Sequence, residues 1–527
     1  MGRNPAYLVE AKNGVVATEN ERCSDMGVIA LRKGGSAVDA AITATLCIGV
    51  VNSFSSGIGG GGFMTVRVPP QHPGRESKVF TIDFRGMAPA ATTPTMFDNG
   101  KRNLSESGGL SMTIPGELAG LQMAHREWGA LSWKELVVPN AELALGWTVD
   151  PELARRIQWF PDLFLNDSDF SEIFAPNGTL LKEGDPIGRE SYAHTLLEIA
   201  EGGAAAFYNG SAITEAIVAK VNATGGHATV EDFKNYRPLM YRSLEGTYRG
   251  KKLYTARAPS SGPVLLHMLN LMEGYNFTRR NGLDTHRMIE AMKFGNAEKS
   301  RMSDPKYRYD TTLIDEIHTK QFADEIRERL DDQRTQPVEY YRPLYTLKPD
   351  PGTSHVSVID STGMMVSVTS TVNWFWGAQV LDPVTGIVLN NQMNDFSTFN
   401  ETNIFGEWNL PQAGKRPLSS ICPTVVENED GSPYIAIGAS GGPTIFPAVF
   451  QTLINIIDYN LDPSEAIEFG RLHNQLRPEA TYADDTYRAD ILDALSRKRH
   501  RIERKILRRN LCAGASDSRK NGIAAGF

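Results

Sequence analysis

The sequence predicts a mixed α/β chain, α+β in arrangement, and three stretches carry that expectation. Two helix-forming runs with clear start and stop signals open the N-terminal part. A polar, proline-dotted stretch fills residues 334–352. Directly after it, two segments of alternating polar and apolar residues flank a Ser-Thr-Gly turn, the pattern of a β-hairpin.

Thr18-x-x-Glu21 reads as a capping box that starts the first helix, and Gly34-Gly35 ends it. Ser36-x-x-Asp39 opens the second, which runs through an apolar stretch to about Val51. Two helices joined by so short a link should lie antiparallel. Cys23, near the start of the first, then approaches Cys47, near the end of the second, either as a disulfide or as two packed core cysteines. The glycine-rich run from Ser56 to Gly62 lacks the Gly-Lys-Ser/Thr of a phosphate loop and is better read as a tight turn under a pocket. Residues 1–250 alternate amphipathic helices with short β-rich runs such as 79–84, and residues 150–345 read as mostly helical. The breakers Arg342-Pro343 and Lys348-Pro349-Asp350-Pro351-Gly352 suit an exposed loop open to cleavage.

The hairpin pattern covers 355–360 and 364–370, with Ser361-Thr362-Gly363 between them. Thr353 and Thr371 are equally distant from Thr362, so a symmetric hairpin sets them face to face, with Cβ atoms about 4.5–5.5 Å apart. Asn373 shares the face of Thr371, because strand side chains repeat every two residues. A threonine freed at its amino end supplies nucleophile and base together: the hydroxyl attacks and the α-amine takes its proton. Such an amine has an ordinary pKa of about 7.7–8.0 and is partly neutral at working pH. Cleavage of the Gly352–Thr353 bond is then a precondition of activity.

A rival is present. Gly438-Ala439-Ser440-Gly441-Gly442 fits G-x-S-x-G between an apolar strand and an apolar helix, and Asp458 or Asp462 followed by His473 supplies the chain order of a serine esterase of the α/β-hydrolase type. No HGGG-type oxyanion segment precedes it, and the partners follow too soon for the usual intervening strands. The same residues can instead offer the Gly441 and Gly442 N–H groups as an oxyanion hole at a helix N-terminus.

A formal net charge of −8 argues against a nucleic-acid partner. The one basic run, 497–509, reads as a solvated helix face. No stretch approaches the roughly 20 apolar residues of a membrane span, and no His/Cys group has metal-ligand spacing. Seven Asn-x-Ser/Thr sequons, at Asn103, Asn166, Asn177, Asn209, Asn222, Asn276 and Asn400, together with the cysteine pair, point to the secretory route. Met1 to Glu10 has no signal-like apolar run, which suggests a trimmed or truncated N-terminus.

Several motifs in order resemble the γ-glutamyltransferase family of N-terminal-nucleophile hydrolases. TSHVSVID, STVN, LNNQMNDFS, GKRPLSSICPT and GASGGP are similar to its small subunit; GVVATENERCSD, KGGSAVDAAIT, NSFSSGIGGGGFM and DFRGMAP to its large one. The resemblance implies a four-layer αββα sandwich built jointly by a large-subunit segment, 1–352, and a small-subunit segment, 353–527, paired as a heterodimer cut from one precursor. It implies Thr353 as nucleophile, Thr371 as its hydrogen-bond partner, and Gly441 and Gly442 as the oxyanion hole. Asn373, Gln392 and Asp395 would hold the α-amino group of a γ-glutamyl donor, and Arg85, Ser419 and Ser420 its α-carboxylate. Cys23 and Cys47 fall where some secreted members have a disulfide. The expected activity is cleavage of the γ-glutamyl amide of glutathione or its conjugates, with water, an amino acid or a dipeptide as acceptor and no metal or organic cofactor. Asp395 favours an amino-bearing donor over the glutaryl-type substrates of related acylases. Two departures stand out. RIERKILRRNLCAGASD, residues 501–517, is shorter and more basic than the apolar strand expected there, which predicts a missing strand, an exposed sheet edge and, as an alternative function, a catalytically silent scaffold. The segment from Asp395 to Gly414 differs in length from members with a long active-site lid.

Overall fold

The computed structural model describes residues 8–72, 74–277, 279–344, 352–399, 409–505, 511–517 and 522–526. The breaker run Lys348 to Pro351, the Asn400 sequon and residues 400–408 of the lid segment lie outside the described residues.

Two sheets form the centre. The six-stranded sheet has the order β2 (Gly14–Thr18), β8 (Ser354–Asp360), β9 (Met365–Thr371), β3 (Gly61–Val68), β4 (Lys78–Asp83) and β5 (Leu239–Arg242). The seven-stranded sheet has the order β1 (Leu8–Ala11), β13 (Gly522–Gly526), β12 (Leu511–Asp517), β11 (Pro433–Ala439), β10 (Thr424–Glu427), β7 (Lys251–Thr255) and β6 (Leu244–Tyr248). β8 and β9 of one sheet pack on β11 and β12 of the other.

Helices cover both outer faces. α1 (Glu21–Arg32), α2 (Ala37–Val51), α3 (Glu117–Trp128), α4 (Trp133–Leu145) and α5 (Glu190–Gly202) belong to the side of the six-stranded sheet. α6 (Gly262–Glu273), α7 (Gly282–Lys299) and α8 (Ile445–Ile457) cover the seven-stranded one. The alternation of the hairpin explains this layering. Val356, Val358, Val366 and Val368 point into the apolar core under α2, whereas Ile359 and Met365 join Val15, Ala17, Val425 and Ala436 between the sheets.

Local signals act as expected in most places. Ser36 and Asp39 form a reciprocal capping box at the start of α2. Cys23 and Cys47 are joined by a disulfide, with Cα atoms 5.4 Å apart. The first helix differs from the reading: its N-cap is Asn20 with no side-chain cap, and Thr18 Oγ1 instead donates to the Asn20 carbonyl at 2.6 Å. Thr18 is the last residue of β2, so strand pairing claims its backbone.

The span 150–345 is mostly helical as read, and it also contains the strands β5, β6 and β7, whose short runs acquire sheet partners only in the folded chain. Two further expectations are corrected. The strand expected to be missing is present: β12 pairs with β11 on one side and β13 on the other, and β1 covers β13. The motive for a silent scaffold falls with it. The basic run is not one helix face, since the helix Ala489–Arg497 ends where the run begins and Ile502–Arg504 is a strand.

Candidate active site

The β8–β9 register pairs Ser354 with Ser370 and His355 with Thr369, so the ladder is centred on Thr362 and its mouth brings Thr353 to Thr371. Thr353 Oγ1 donates to Thr371 Oγ1 at 2.9 Å, and both residues are buried. The Thr371 hydroxyl also accepts from the Asn373 N–H at 2.7 Å. Thr353 has φ +100°, a left-handed value that a β-branched residue adopts only under constraint. The constraint is local. The Ser55 carbonyl accepts both the Thr353 N–H at 3.2 Å and the Val372 N–H at 3.0 Å, tying the two strand ends to the turn after α2. Gly352 lies so close to the Asn373 carbonyl that a Cβ there would sit 2.1 Å from its oxygen. Glycine at the last position before Thr353 is therefore a packing requirement.

The glycine-rich run has the same cause. A Cβ on Gly60 would come within 2.3 Å of the Thr371 carbonyl oxygen, and Gly61 pairs with Thr371, so the run lies directly beside the strand that carries Thr371.

Around this pair the chain gathers distant side chains. Gln392 bridges the site: its Nε2 donates to the Thr371 carbonyl at 2.9 Å, and its Oε1 accepts from the Gly86 N–H at 3.0 Å. Asn373 Nδ2 donates to the Asn391 carbonyl at 3.1 Å. Arg85 is fully buried and pairs with Asp395, 310 residues further on. Burial pushes the Asp395 carboxyl up from the usual carboxylate range, against the opposing pull of Arg85, Lys299 and the Asn373 amide. Ser419 Oγ accepts from the Ile421 N–H at 3.2 Å, and Ser420 Oγ accepts from the Lys299 ammonium. Gly441 and Gly442 both take left-handed φ values, +108° and +60°, at the turn into α8. Arg85 and Asp395 thus neutralise one another here, where the resemblance implied that each would hold a different charged group of a donor.

Lys299 escaped the sequence reading. It lies on α7, where the charged residues Asp284, Glu290, Lys293, Glu298 and Lys299 are buried and Arg287 is not, and a charged helix run gives no sign of that in one sequence. His286, Glu290 and His500 also meet, with potential ligand atoms within 4.8 Å of one another. All of their nitrogens and carboxylate oxygens but His500 Nδ1 are engaged in hydrogen bonds: His286 Nδ1 with His500 Nε2 at 2.7 Å, His286 Nε2 with the Asp331 carbonyl at 2.8 Å, and Glu290 with the hydroxyls of Thr335 and Tyr341, each at 2.6 Å.

The esterase triad is not assembled. Asp458 accepts from Tyr248 at 2.6 Å and Arg249 at 2.8 Å, Asp462 caps the helix Pro463–Glu468, and His473 Nε2 pairs with Gln475 at 2.9 Å.

Comparison with known proteins gives the family. The family model described as Gamma-glutamyltranspeptidase matches residues 23–527. The chain belongs to the gamma-glutamyltranspeptidase family. Among curated relatives of this family, "Glutathione hydrolase proenzyme 2" of Schizosaccharomyces pombe is 38% identical, over 99% of this chain and 88% of its own length. "Glutathione hydrolase 3" of Arabidopsis thaliana is 39% identical over 89% of this chain and 74% of its own. Of solved structures, the cephalosporin acylase from Bacillus halodurans superposes with a TM-score of 0.86 at 26% identity, covering 100% of this chain and 95% of that one. The Helicobacter pylori gamma-glutamyltranspeptidase gives 0.59 at 28% identity, covering 63% and 96%. The αββα sandwich is therefore the fold of the N-terminal-nucleophile hydrolases to which these belong.

Proposed function

We propose that this family member is a γ-glutamyltransferase with glutathione hydrolase activity, whose nucleophile is Thr353. The observation that carries the reading is the 2.9 Å hydrogen bond from Thr353 Oγ1 to Thr371 at the mouth of the hairpin, with Gly352 immediately before it. In the precursor, Thr353 Oγ1 attacks the Gly352 carbonyl carbon and the C–N bond to Thr353 breaks. Water hydrolyses the resulting ester and leaves a free α-amine on Thr353. The left-handed φ at Thr353 supports this step, because breaking the bond relieves a strained backbone.

The mature reaction has two acyl transfers. The Thr353 α-amine takes the hydroxyl proton as Oγ1 attacks the γ-carbonyl, and it returns that proton to the departing amine of the cysteinyl-glycine portion. The γ-glutamyl ester then passes to water, an amino acid or a dipeptide, regenerating the threonine. The Gly441 and Gly442 N–H groups stabilise the oxyanion in both steps. The donor ammonium pairs with Asp395, aided by Asn373 and Gln392, and the donor carboxylate is received by Arg85, Ser419 and Ser420. Fixing both groups at the α-carbon delivers the γ-carbonyl to Thr353 by positioning. In this reading, residues 1–352 and 353–527 become the two subunits of one interleaved domain.

Six sequon asparagines, at 103, 166, 177, 209, 222 and 276, are solvent-exposed, and the Cys23–Cys47 disulfide is of the kind formed in oxidising compartments. Both support passage through the secretory route and an extracellular, cell-surface or vacuolar location. Purified Thr353→Ala protein decides the central claim: it should migrate as a single chain of 58.0 kDa and release no product from a γ-glutamyl anilide. A cleaved, active variant would refute the reading.

A further inference from the structure

Thr353 and Thr371 stand on neighbours that are also paired with partners, but on the opposite side of the strands. Ser354 Oγ donates to the carboxylate of Glu19 and lies 2.7 Å from Ser55 Oγ. Asn52 Nδ2 donates to the same Glu19 oxygen at 3.1 Å. Across the ladder, Ser370 Oγ donates to the carboxylate of Glu117 and accepts from Ser56 Oγ at 2.9 Å. Each threonine thus has one serine beside it, one carboxyl behind that serine, and one serine of the Ser55-Ser56 turn completing the link. The same turn supplies the carbonyl that holds the Thr353 nitrogen.

We propose that Glu19 and Glu117 are positioning residues for the threonine pair, acting through Ser354 and Ser370, and that Glu19 in addition sets the basicity of the Thr353 α-amine. The inference rests on the proposed role of Thr353.

The charges around the two groups make this specific. Glu19 is faced by Asn52 at the end of α2, by Ser354 of β8, and from the helix Pro151–Gln158 by Glu152 and Arg156, which pair with one another. Glu117, fully buried on α3, has among the described residues the hydroxyls of Tyr192 and Tyr208 nearby rather than a cation. Burial is the largest influence on both carboxyls and pushes each up to about 7, with the serine hydrogen bonds pulling the other way. Among the described residues Glu117 has no cation beside it and Glu19 shares Arg156 with Glu152, an arrangement that costs stability in the precursor. Cleavage adds a cation. The new α-amine appears one residue from Ser354, bound to the Ser55 carbonyl, and its protonated form is favoured by a carboxylate at Glu19. No proton passes to Glu19: the proton leaves Thr353 Oγ1 for the α-amine, and the carboxylate stabilises the ammonium so formed in each half-reaction.

The test is the pH profile of kcat, which reports ionisations within the enzyme–substrate complex. Glu19→Gln keeps the shape and a hydrogen-bond acceptor but removes the charge. The acidic limb should move down by about one pH unit, and the plateau should fall by up to about tenfold as the weaker base takes over. Ser354→Ala removes the hydroxyl that keeps Glu19 ionised, so its limb should move in the same direction. A purely structural role predicts changes in amount or melting with an unmoved limb. Limbs within about 0.2 unit of the unaltered enzyme in cleaved, folded Glu19→Gln and Ser354→Ala proteins overturn the proposal. Should Glu19→Gln fail to fold, Ser354→Ala decides by the same limb; should that also fail, the hydroxyl serves the fold and the proposal is wrong. Thr353→Ala can behave as expected while these limbs stay fixed, so the two readings fail separately.

Discussion

A single hydroxyl, that of Thr371, receives one hydrogen bond from the Thr353 side chain and another from the Asn373 backbone. Thr371→Val keeps the shape and removes both. At about 1 kcal/mol for each bond, kcat should fall by about 30-fold with little change in KM, as steady-state assay of the cleaved enzyme would show. Asp395 offers a second test. Its ionised form is the one that pairs with an ammonium, and burial raises its pKa, so it takes up a proton at a higher pH than an ordinary carboxylate. The donor KM should therefore climb as pH falls through that raised value and level off above it. Asp395→Asn should remove this pH dependence and raise KM by about 10- to 100-fold through loss of a charge-assisted bond; a KM unchanged from the unaltered enzyme would remove Asp395 from the donor site.

Two devices hold the elements that carry the threonines. Asp360, at the end of β8, accepts the Ala37 N–H at the start of α2 at 2.8 Å and the Thr362 and Met364 N–H groups in the hairpin turn. It ties the hairpin to the helix beneath it, so Asp360→Ala should lower stability by about 1–2 kcal/mol, as for loss of a helix cap, read from the urea midpoint. The Cys23–Cys47 bond closes a loop with a sequence separation of 24 residues between α1 and α2. Replacing both cysteines by alanine should cost about 3 kcal/mol and lower the same midpoint further, while the 2.9 Å threonine contact, on strands outside that loop, persists as measurable activity. At this scale the sequence was readable where the signal was local and no strand pairing overrode it, as it did at Thr18. The Ser36 capping box and the hairpin symmetry about Thr362 both follow from residues within a few positions of one another. The strands β5 to β7 and β12 were not readable, because short runs such as LCAGASD become strands through partners far along the chain.

The whole molecule interleaves its two segments. β8 and β9, from beyond residue 352, lie between β2 and β3 of the N-terminal segment. In the other sheet, β10 to β13 lie between β1 on one side and β6 and β7 on the other. Two chains joined by such sheets cannot separate without breaking central strand pairs and opening the core between the sheets. After cleavage they should co-elute as one species in native size-exclusion chromatography and part only in denaturant; native separation would contradict this arrangement. By itself the sequence determined the register that opposes Thr353 and Thr371, the helix pair bearing the two cysteines, and, through ordered motifs, the family. Only the tertiary structure decided that Arg85 meets Asp395, that Lys299 reaches Ser420, and that Glu19 and Glu117 lie behind the serines of the hairpin. The physical reason is range: hydrogen-bond periodicity and capping act over a few residues and leave a pattern in the sequence, whereas a buried charge finds its partner only after the layers have closed around it.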